Sequence, residues 1–316
     1  MSLHQTSGNQ RLGLLFATIV MLIWSVLPHV LKVLLGYMDP YSVTWYRFVI
    51  ATIGFAWILR RRGALPRLGA LSGRERALLL LAILGLAANY IGFLVGLDLT
   101  SAATSQVLIQ IGPVLLALGG IVLFRERFSV AQWLGLAILV TGLFVFFASQ
   151  ISELAGRASE ADQYRLGVMA IVMAAFTWAA YGLAQKQLLV AIPSQPLMLC
   201  LFAGCTLLYT PAVDLSSVAG LDRIGFAALV LAGLATAGAY GCFSAALEHL
   251  EASRVSAVVA LVPLGTLASS HLLSAVAPEL FPKVSLSAMS FAGAGAVVAG
   301  SLITSLAGRM PNPGER

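Results

Sequence analysis

Residues 12–32 read LGLLFATIVMLIWSVLPHVLK, and the stretch occurs a second time, over 166–186, as LGVMAIVMAAFTWAAYGLAQK. At a constant offset of 154, Leu12, Gly13, Trp24 and Lys32 meet Leu166, Gly167, Trp178 and Lys186. Both copies are apolar almost throughout, with one Trp midway and one Lys near the end. About 20 such residues, wound as a helix, cross the roughly 30 Å of hydrocarbon in a bilayer. Two copies half a chain apart point to a duplicated membrane protein.

Composition agrees. Of 316 residues, 59% are hydrophobic and 10% charged, against about 25% charged in an ordinary soluble domain. The apolar segments are too long and too uniform for barrel strands, which are short and alternate in polarity. Helices satisfy every backbone polar group internally, as lipid demands. The expected fold class is therefore all-α and polytopic. Ten spans can be placed: 12–35, 41–59, 77–97, 102–123 and 131–149, then 166–189, 197–217, 224–246, 253–275 and 287–307. The first is read as a retained span, because it is too long for a signal-peptide core and no small-residue cleavage site follows it. This divides the chain into a first five-helix repeat (1–149), a linker (150–165), a second repeat (166–307) and a tail (308–316).

Charge sets the expected orientation. The net charge of +6 resides in short loops between spans, which argues for topology rather than for nucleic acid as a partner. Loop 60–76 carries Arg60, Arg61, Arg62, Arg67, Arg74 and Arg76 and should be cytoplasmic. That choice puts 13 basic residues inside and 5 outside, with Arg47 within a span and both termini cytoplasmic.

The duplication continues past the first span. At offset 150, Tyr90, Phe93, Leu97, Asp98, Ala102 and Pro113 meet Tyr240, Phe243, Leu247, Glu248, Ala252 and Pro263. At offset 158, Gly135 and Gly142 meet Gly293 and Gly300. Each half has five spans, an odd number, so the second must enter from the opposite side. Inverted repeats of this kind are typical of secondary transporters with a site between the halves. Small residues four apart recur at Ala88, Gly92 and Gly96, and again at Ala292, Ala296 and Gly300, a spacing that lets helix backbones approach closely.

Candidate functional residues follow from what a bilayer makes costly. Pro28, Pro113 and Pro263 each remove a backbone donor and displace the carbonyl four residues back, at Trp24, Ile109 and Val259. With Gly182, the counterpart of Pro28, they are candidate hinges; packing kinks are the plainer alternative. Gln106 and Gln110 lie one turn apart on one face with Pro113, and should point into the bundle. Trp24 and Trp178 sit near span centres, where interfacial tryptophans do not belong, whereas Trp45 and Trp133 sit near span ends. Asn89, Tyr90, Tyr181, Tyr240 and Ser244 complete the candidate substrate-binding set. Lys32 and Lys186 are expected to snorkel to opposite surfaces. Arg47 is costly to bury and should find a partner or a carbonyl, and with His29 it is a candidate for ion coupling. No carboxylate falls at mid-membrane. Cys200, Cys205 and Cys242 lack metal-ligand spacing, so no metal or cofactor is expected. Enzyme signatures such as HExxH, GxSxG and a phosphate-binding loop are absent from the sequence.

At these residues the chain resembles the drug/metabolite transporter superfamily, specifically its ten-helix EamA-type members. The pattern is Trp24-Ser25 then Lys32, Asp39-Pro40, Tyr46-Arg47-Phe48, Ala102 through Pro113, Arg125-Glu126-Arg127, Gln132-Trp133-Leu134-Gly135 and Gly142. It covers about residues 12–307 and weakens in the second half, where no Arg matches Arg47 and Glu279 lies in a longer loop than Glu126. Within the superfamily it is most similar to the YddG-type exporters of aromatic amino acids. That resemblance implies a central cavity between two five-helix halves, and outward movement of Phe, Tyr, Trp or methyl viologen-like compounds across a bacterial inner membrane. The expected partners are thus a small-molecule substrate and the lipid bilayer, with oligomeric state open. Purines, cationic drugs and other metabolites are alternative cargoes on the same fold. An embedded enzyme or a channel is the alternative of another class.

Overall fold

The computed structural model describes residues 9–124, 129–153, 158–250, 252–259, 261–281 and 287–306. The Arg125-Glu126-Arg127 motif, the tail from 308 to 316 and residues 154–157 of the linker lie outside these. The described chain is helical: α1 (Gln10–Leu35), α2 (Pro40–Arg61), α3 (Gly73–Leu99), α4 (Ala102–Leu108), α5 (Ile111–Phe124) and α6 (Val130–Glu153) in the first half. The second half gives α7 (Ala158–Leu188), α8 (Ser194–Tyr209), α9 (Arg223–His249), α10 (Ala252–Val259), α11 (Val262–Val276) and α12 (Ala288–Leu306). Among the described residues, seven stretches are long and apolar enough to cross a membrane, and three more helices are apolar but shorter. Large apolar side chains remain exposed on outer helix faces, among them Leu15, Leu22, Phe144, Leu207 and Leu272. A soluble protein seldom tolerates so much exposed apolar surface.

Local chemistry explains where the helices begin. Asp39 accepts hydrogen bonds from the N–H groups of Tyr41 and Ser42 at 2.8 and 3.1 Å, and Pro40 follows at the first helical position, where its missing donor costs nothing. Ser72 and Glu75 form a reciprocal capping box at the start of α3. At the matching position 150 residues on, Asp222 caps α9, its Oδ1 accepting from Gly225 N–H at 2.7 Å.

Two expected spans need correction. The segments 102–123 and 253–275 are each described as two helices, with the first broken at residues 109–110 and a turn at Leu261 before the start of α11. Pro113 and Pro263 lie just past the breaks, in the first turns of α5 and α11, because a proline's missing donor and steric clash act on the turn before it. At Pro28, by contrast, α1 runs on without a break. The Trp24 carbonyl that Pro28 leaves without its helical donor is approached by Gln106 Nε2 at 3.4 Å. Helix α7 is likewise unbroken at Gly182, which packs against Leu116 of α5. The linker 150–165 is largely helical, since α6 and α7 extend into it from both sides. Helix α8 ends at Tyr209, short of the expected 217, and turns of 3-10 helix around Pro211 follow it. Lys32 is exposed, in the last turn of α1. Its Nζ donates to the carbonyls of Leu97 and Asp98 at 2.8 and 2.6 Å, capping the C-terminus of α3, where a cation is favoured.

The halves interlock through exchanged contacts. Gly13 of α1 abuts His249 and Leu250 at the end of α9, and its duplicate Gly167 of α7 abuts Leu99 and Thr100 at the end of α3. Residues 249 and 250 are the offset-150 mates of 99 and 100. Helices α6 and α12 repeat the exchange: Gly135 meets Gly300 and Thr304, while Gly142 meets Gly293 and Val297. A side chain at any of these four glycines would collide with the backbone of the facing helix. If i touches the duplicate of j while j touches the duplicate of i, the halves are related by a two-fold axis.

Candidate functional site

Between the halves lies a cavity with about 690 Å³ of space between atoms, open solvent at its mouth included. Its aromatic wall is built where α1, α7 and α9 cross. The Trp24 ring lies 6.4 Å from that of Trp178, 5.4 Å from Tyr240 and 5.7 Å from Phe243, edge-on or tilted as aromatic quadrupoles prefer. Gly112, beside the break before α5, leaves room for the Trp178 indole, which a Cβ would approach to 3.0 Å. Tyr90 of α3 closes the wall at 5.4 Å from Tyr240.

The polar residues come from α2, α3 and α4 with the α4–α5 break, next to that wall. Asn89 donates through Nδ2 to the Ala174 carbonyl at 2.9 Å, tying α3 to α7. Gln106 reaches the Trp24 carbonyl, and Gln110 Nε2 lies 3.5 Å from the Val259 carbonyl. Both are carbonyls that a proline four residues on, Pro28 or Pro263, deprives of its helical donor. The glutamines thus serve as long-range substitutes for missing backbone bonds. These contacts are long, and so weak individually. Arg47 lines the same cavity at 3% exposure, with Nε donating to Thr236 Oγ1 at 2.9 Å and the guanidinium 4.8 Å from the Tyr90 ring centre.

The structure thus brings Trp24, Asn89, Tyr90, Gln106, Gln110, Trp178 and Tyr240 to one cavity, with Pro28, Pro113 and Arg47. It does not bring Tyr181 and Ser244 there. Both are fully buried behind the wall, and Tyr181 packs on α3 where Gly85 leaves room for it. Pro263 stands next to the lining residue Val262, and Gly182 is set back against α5. His29 is buried between helices, its Nε2 3.3 Å from the Thr266 carbonyl and 3.1 Å from Ser269 Oγ, joining α1 to α11. Sequence reasoning missed Leu27, Leu31, Phe93 and Val262 as lining residues. Phe93 was findable, because it lies one turn beyond Asn89 on the same face. Among the described residues, no cluster of His, Cys, Asp and Glu could hold a metal ion.

Comparison with known proteins places this geometry. The sequence profile of the EamA-like transporter family matches residues 11–148 and 165–306, one match in each half. A Haemophilus influenzae protein described as an uncharacterized transporter is 32% identical over 93% of this chain and 95% of its own. The Escherichia coli inner membrane transporter YhbE, likewise described as uncharacterized, is 33% identical over 95% of this chain and 92% of its own. A UDP-N-acetylglucosamine transporter of the dog is 33% identical over only 30% of this chain and 29% of its own. A solved crystal structure superimposes with a TM-score of 0.66 at 18% identity, covering 94% of this chain and 99% of that one, and so shares the fold.

Proposed function

The chain belongs to the EamA-like transporter family, and from that premise we propose that it exports aromatic or hydrophobic amino acids by alternating access. It is a multi-pass transporter of the bacterial inner membrane. In this reading the twelve described helices form ten spans, the pairs α4–α5 and α10–α11 each counting as one, arranged as two inverted repeats with both termini cytoplasmic. The exchanged contacts of Gly13 with Gly167, and of Gly135 and Gly142 with Gly293 and Gly300, support it. So does the meeting of loops expected on one side, as where Arg62 reaches Gln195 and Asp214 reaches Ser42.

The observation that carries the cargo assignment is the cavity itself: aromatic Trp24, Trp178, Tyr90 and Tyr240 line it together with polar Arg47, Asn89, Gln106 and Gln110. An apolar body with a few placed polar groups is the general form of a small-molecule site. The side chain of Phe or Trp packs on the wall while its polar end faces α2 and α4. The breaks before Pro113 and Pro263 lie at the cavity and act as hinges when one half rocks against the other. His29, at the α1–α11 contact, is the candidate for any ion coupling.

The test is uptake of radiolabelled Phe and Trp into liposomes holding the purified protein, with no imposed ion gradient. Saturable uptake, competed by other aromatic amino acids, is expected. Uptake seen only with a proton gradient keeps the carrier and implicates His29. No uptake under either condition, from folded protein, rejects the aromatic amino-acid assignment.

A further inference from the structure

Arg47 has a charge for which the protein supplies no counterpart. It lies two turns into α2, at 3% exposure, where an isolated cation is expensive. Nε is used by Thr236, whose own hydroxyl donates to the Ala232 carbonyl at 2.7 Å and is therefore free to accept. The Tyr90 ring covers one face of the guanidinium. Among the described residues no carboxylate pairs with it, and no acceptor there meets Nη1 or Nη2. Those two nitrogens form the fork that matches a carboxylate with two parallel hydrogen bonds.

The neighbouring amides do not compete for that task. Asn89, Gln106 and Gln110 turn amide nitrogens toward backbone carbonyls, and the carboxamide oxygens of Asn89 and Gln106 are the acceptors left over. Donor capacity for an anion therefore resides in Arg47, and acceptor capacity for an ammonium in the amides.

We propose that Arg47 anchors the carboxylate of the transported molecule, so that the site selects substrates with a free carboxylate beside an apolar or aromatic body. This rests on the reading that the central cavity is the substrate site. It removes Arg47 from ion coupling and disfavours cationic cargo, which would meet an unpaired positive charge.

The experiment uses the two cavity tryptophans as reporters. The full-length protein in detergent is titrated with L-phenylalanine against L-phenylalaninamide, 3-phenylpropionate against 3-phenylpropionamide, and hexanoate against hexanamide, following tryptophan fluorescence. The acid of each pair that binds should do so roughly tenfold more tightly or better than its amide, as a charge-assisted bidentate contact implies. Arg47→Gln should bring the ratio close to one, and Arg47→Lys should keep part of it. Trp178→Ala should weaken acid and amide alike and leave the ratio unchanged. If Arg47→Gln fails to fold, the wild-type ratios and Arg47→Lys still decide the matter. If hexanoate binds with the Arg47-dependent ratio and the aromatic acids do not, the aromatic cargo falls while the anchor stands. Equal affinity for acid and amide in the wild type, an unchanged ratio in Arg47→Gln, or no binding by any acid overturns the proposal.

Discussion

The two halves of the chain come from one duplicated unit, yet they present different chemistry to the cavity. The aromatic pairs agree: Trp24 with Trp178, and Tyr90 with Tyr240. The polar positions do not. Asn89, Gln106 and Gln110 match Ala239, Ser256 and Ala260, and Arg47 has no basic counterpart. At the α6–α12 seam, which contributes no residue to the cavity lining, the copies agree again, with Gly135 and Gly142 against Gly293 and Gly300. The difference follows from what each region must do. Two backbones can cross this closely only if both supply glycine, so the seam requires the same residue twice. A ligand with one charged end and one apolar end cannot be oriented by a symmetric site, so the cavity requires the halves to differ.

The largest expected effect attacks the region where the halves agree. Gly142→Leu places a side chain where even Cβ would lie 2.7 Å from Val297 N and 2.8 Å from the Gly293 carbonyl. Overpacking of this kind costs about 1–3 kcal/mol and sometimes more, and here the obstacle is backbone, which cannot step aside. Loss of the monodisperse peak in size-exclusion chromatography is expected. Gly295→Leu, on α12 with nothing within 4 Å of its Cβ position, is the control and should fold. Equal behaviour of the two variants would show that the seam does not hold the halves together.

Next comes the aromatic wall, where the halves agree in residue type and face one another. Trp178→Ala removes a ring that contacts both Trp24 and Phe243. About a tenfold or greater loss in affinity for L-tryptophan is expected, since an aromatic pair adds about 0.5–1.5 kcal/mol beyond the area it buries. Transport assayed in proteoliposomes reads this, and full retention would move the substrate away from the wall.

A smaller effect probes where the halves differ. Gln110→Leu keeps the volume and withdraws the amide from the Val259 carbonyl, a neutral contact worth about 1 kcal/mol. A several-fold slower turnover is expected with little change in the unfolding midpoint, if that bond steadies the α10–α11 break during the transport cycle. A fall in midpoint with unchanged turnover would mark Gln110 as structural only.

The fold class was legible because duplication writes the same spacing twice, and because seven of the described stretches have the length and apolarity a bilayer imposes. The breaks in the fourth and ninth segments were flagged by Pro113 and Pro263 but placed only by structure, since the strain appears in the preceding turn. Tyr181 shows the limit for the site. It lies three residues from Trp178 on an apolar helix, and no periodicity tells which face of α7 turns inward. The contact with Gly85 of α3 decides that, and such contacts are tertiary. Arg47 was legible as a costly charge. That its protein partner would be a threonine rather than an acid was not, because Thr236 lies 189 residues away on α9.

The smallest effect returns to two matched helix starts. Ser72 caps α3 with a neutral hydroxyl, and Asp222, 150 residues on, caps α9 with a carboxylate. The Gly225 N–H holds the Asp222 carboxyl below its ordinary range, against the opposing effect of burial and with lesser help from Tyr37 and Ile224. A carboxylate whose folded pKa is depressed stabilises fully at pH above its unfolded value, near 3.8, and loses that contribution as the pH falls through the folded value. The unfolding midpoint of the wild type should therefore carry a component that is flat from pH 7 to about 5 and is lost progressively as the pH falls below the unfolded value, near 3.8, toward the lower folded one. Asp222→Asn keeps an acceptor for Gly225 but cannot titrate, so the difference between wild type and variant isolates this component. Asp222→Ala should be less stable at every pH, because the cap itself is gone. If wild type and Asp222→Asn lose stability in parallel on acidification, the charge on this cap is immaterial, and the matched helix starts of the two halves differ in residue but not in function.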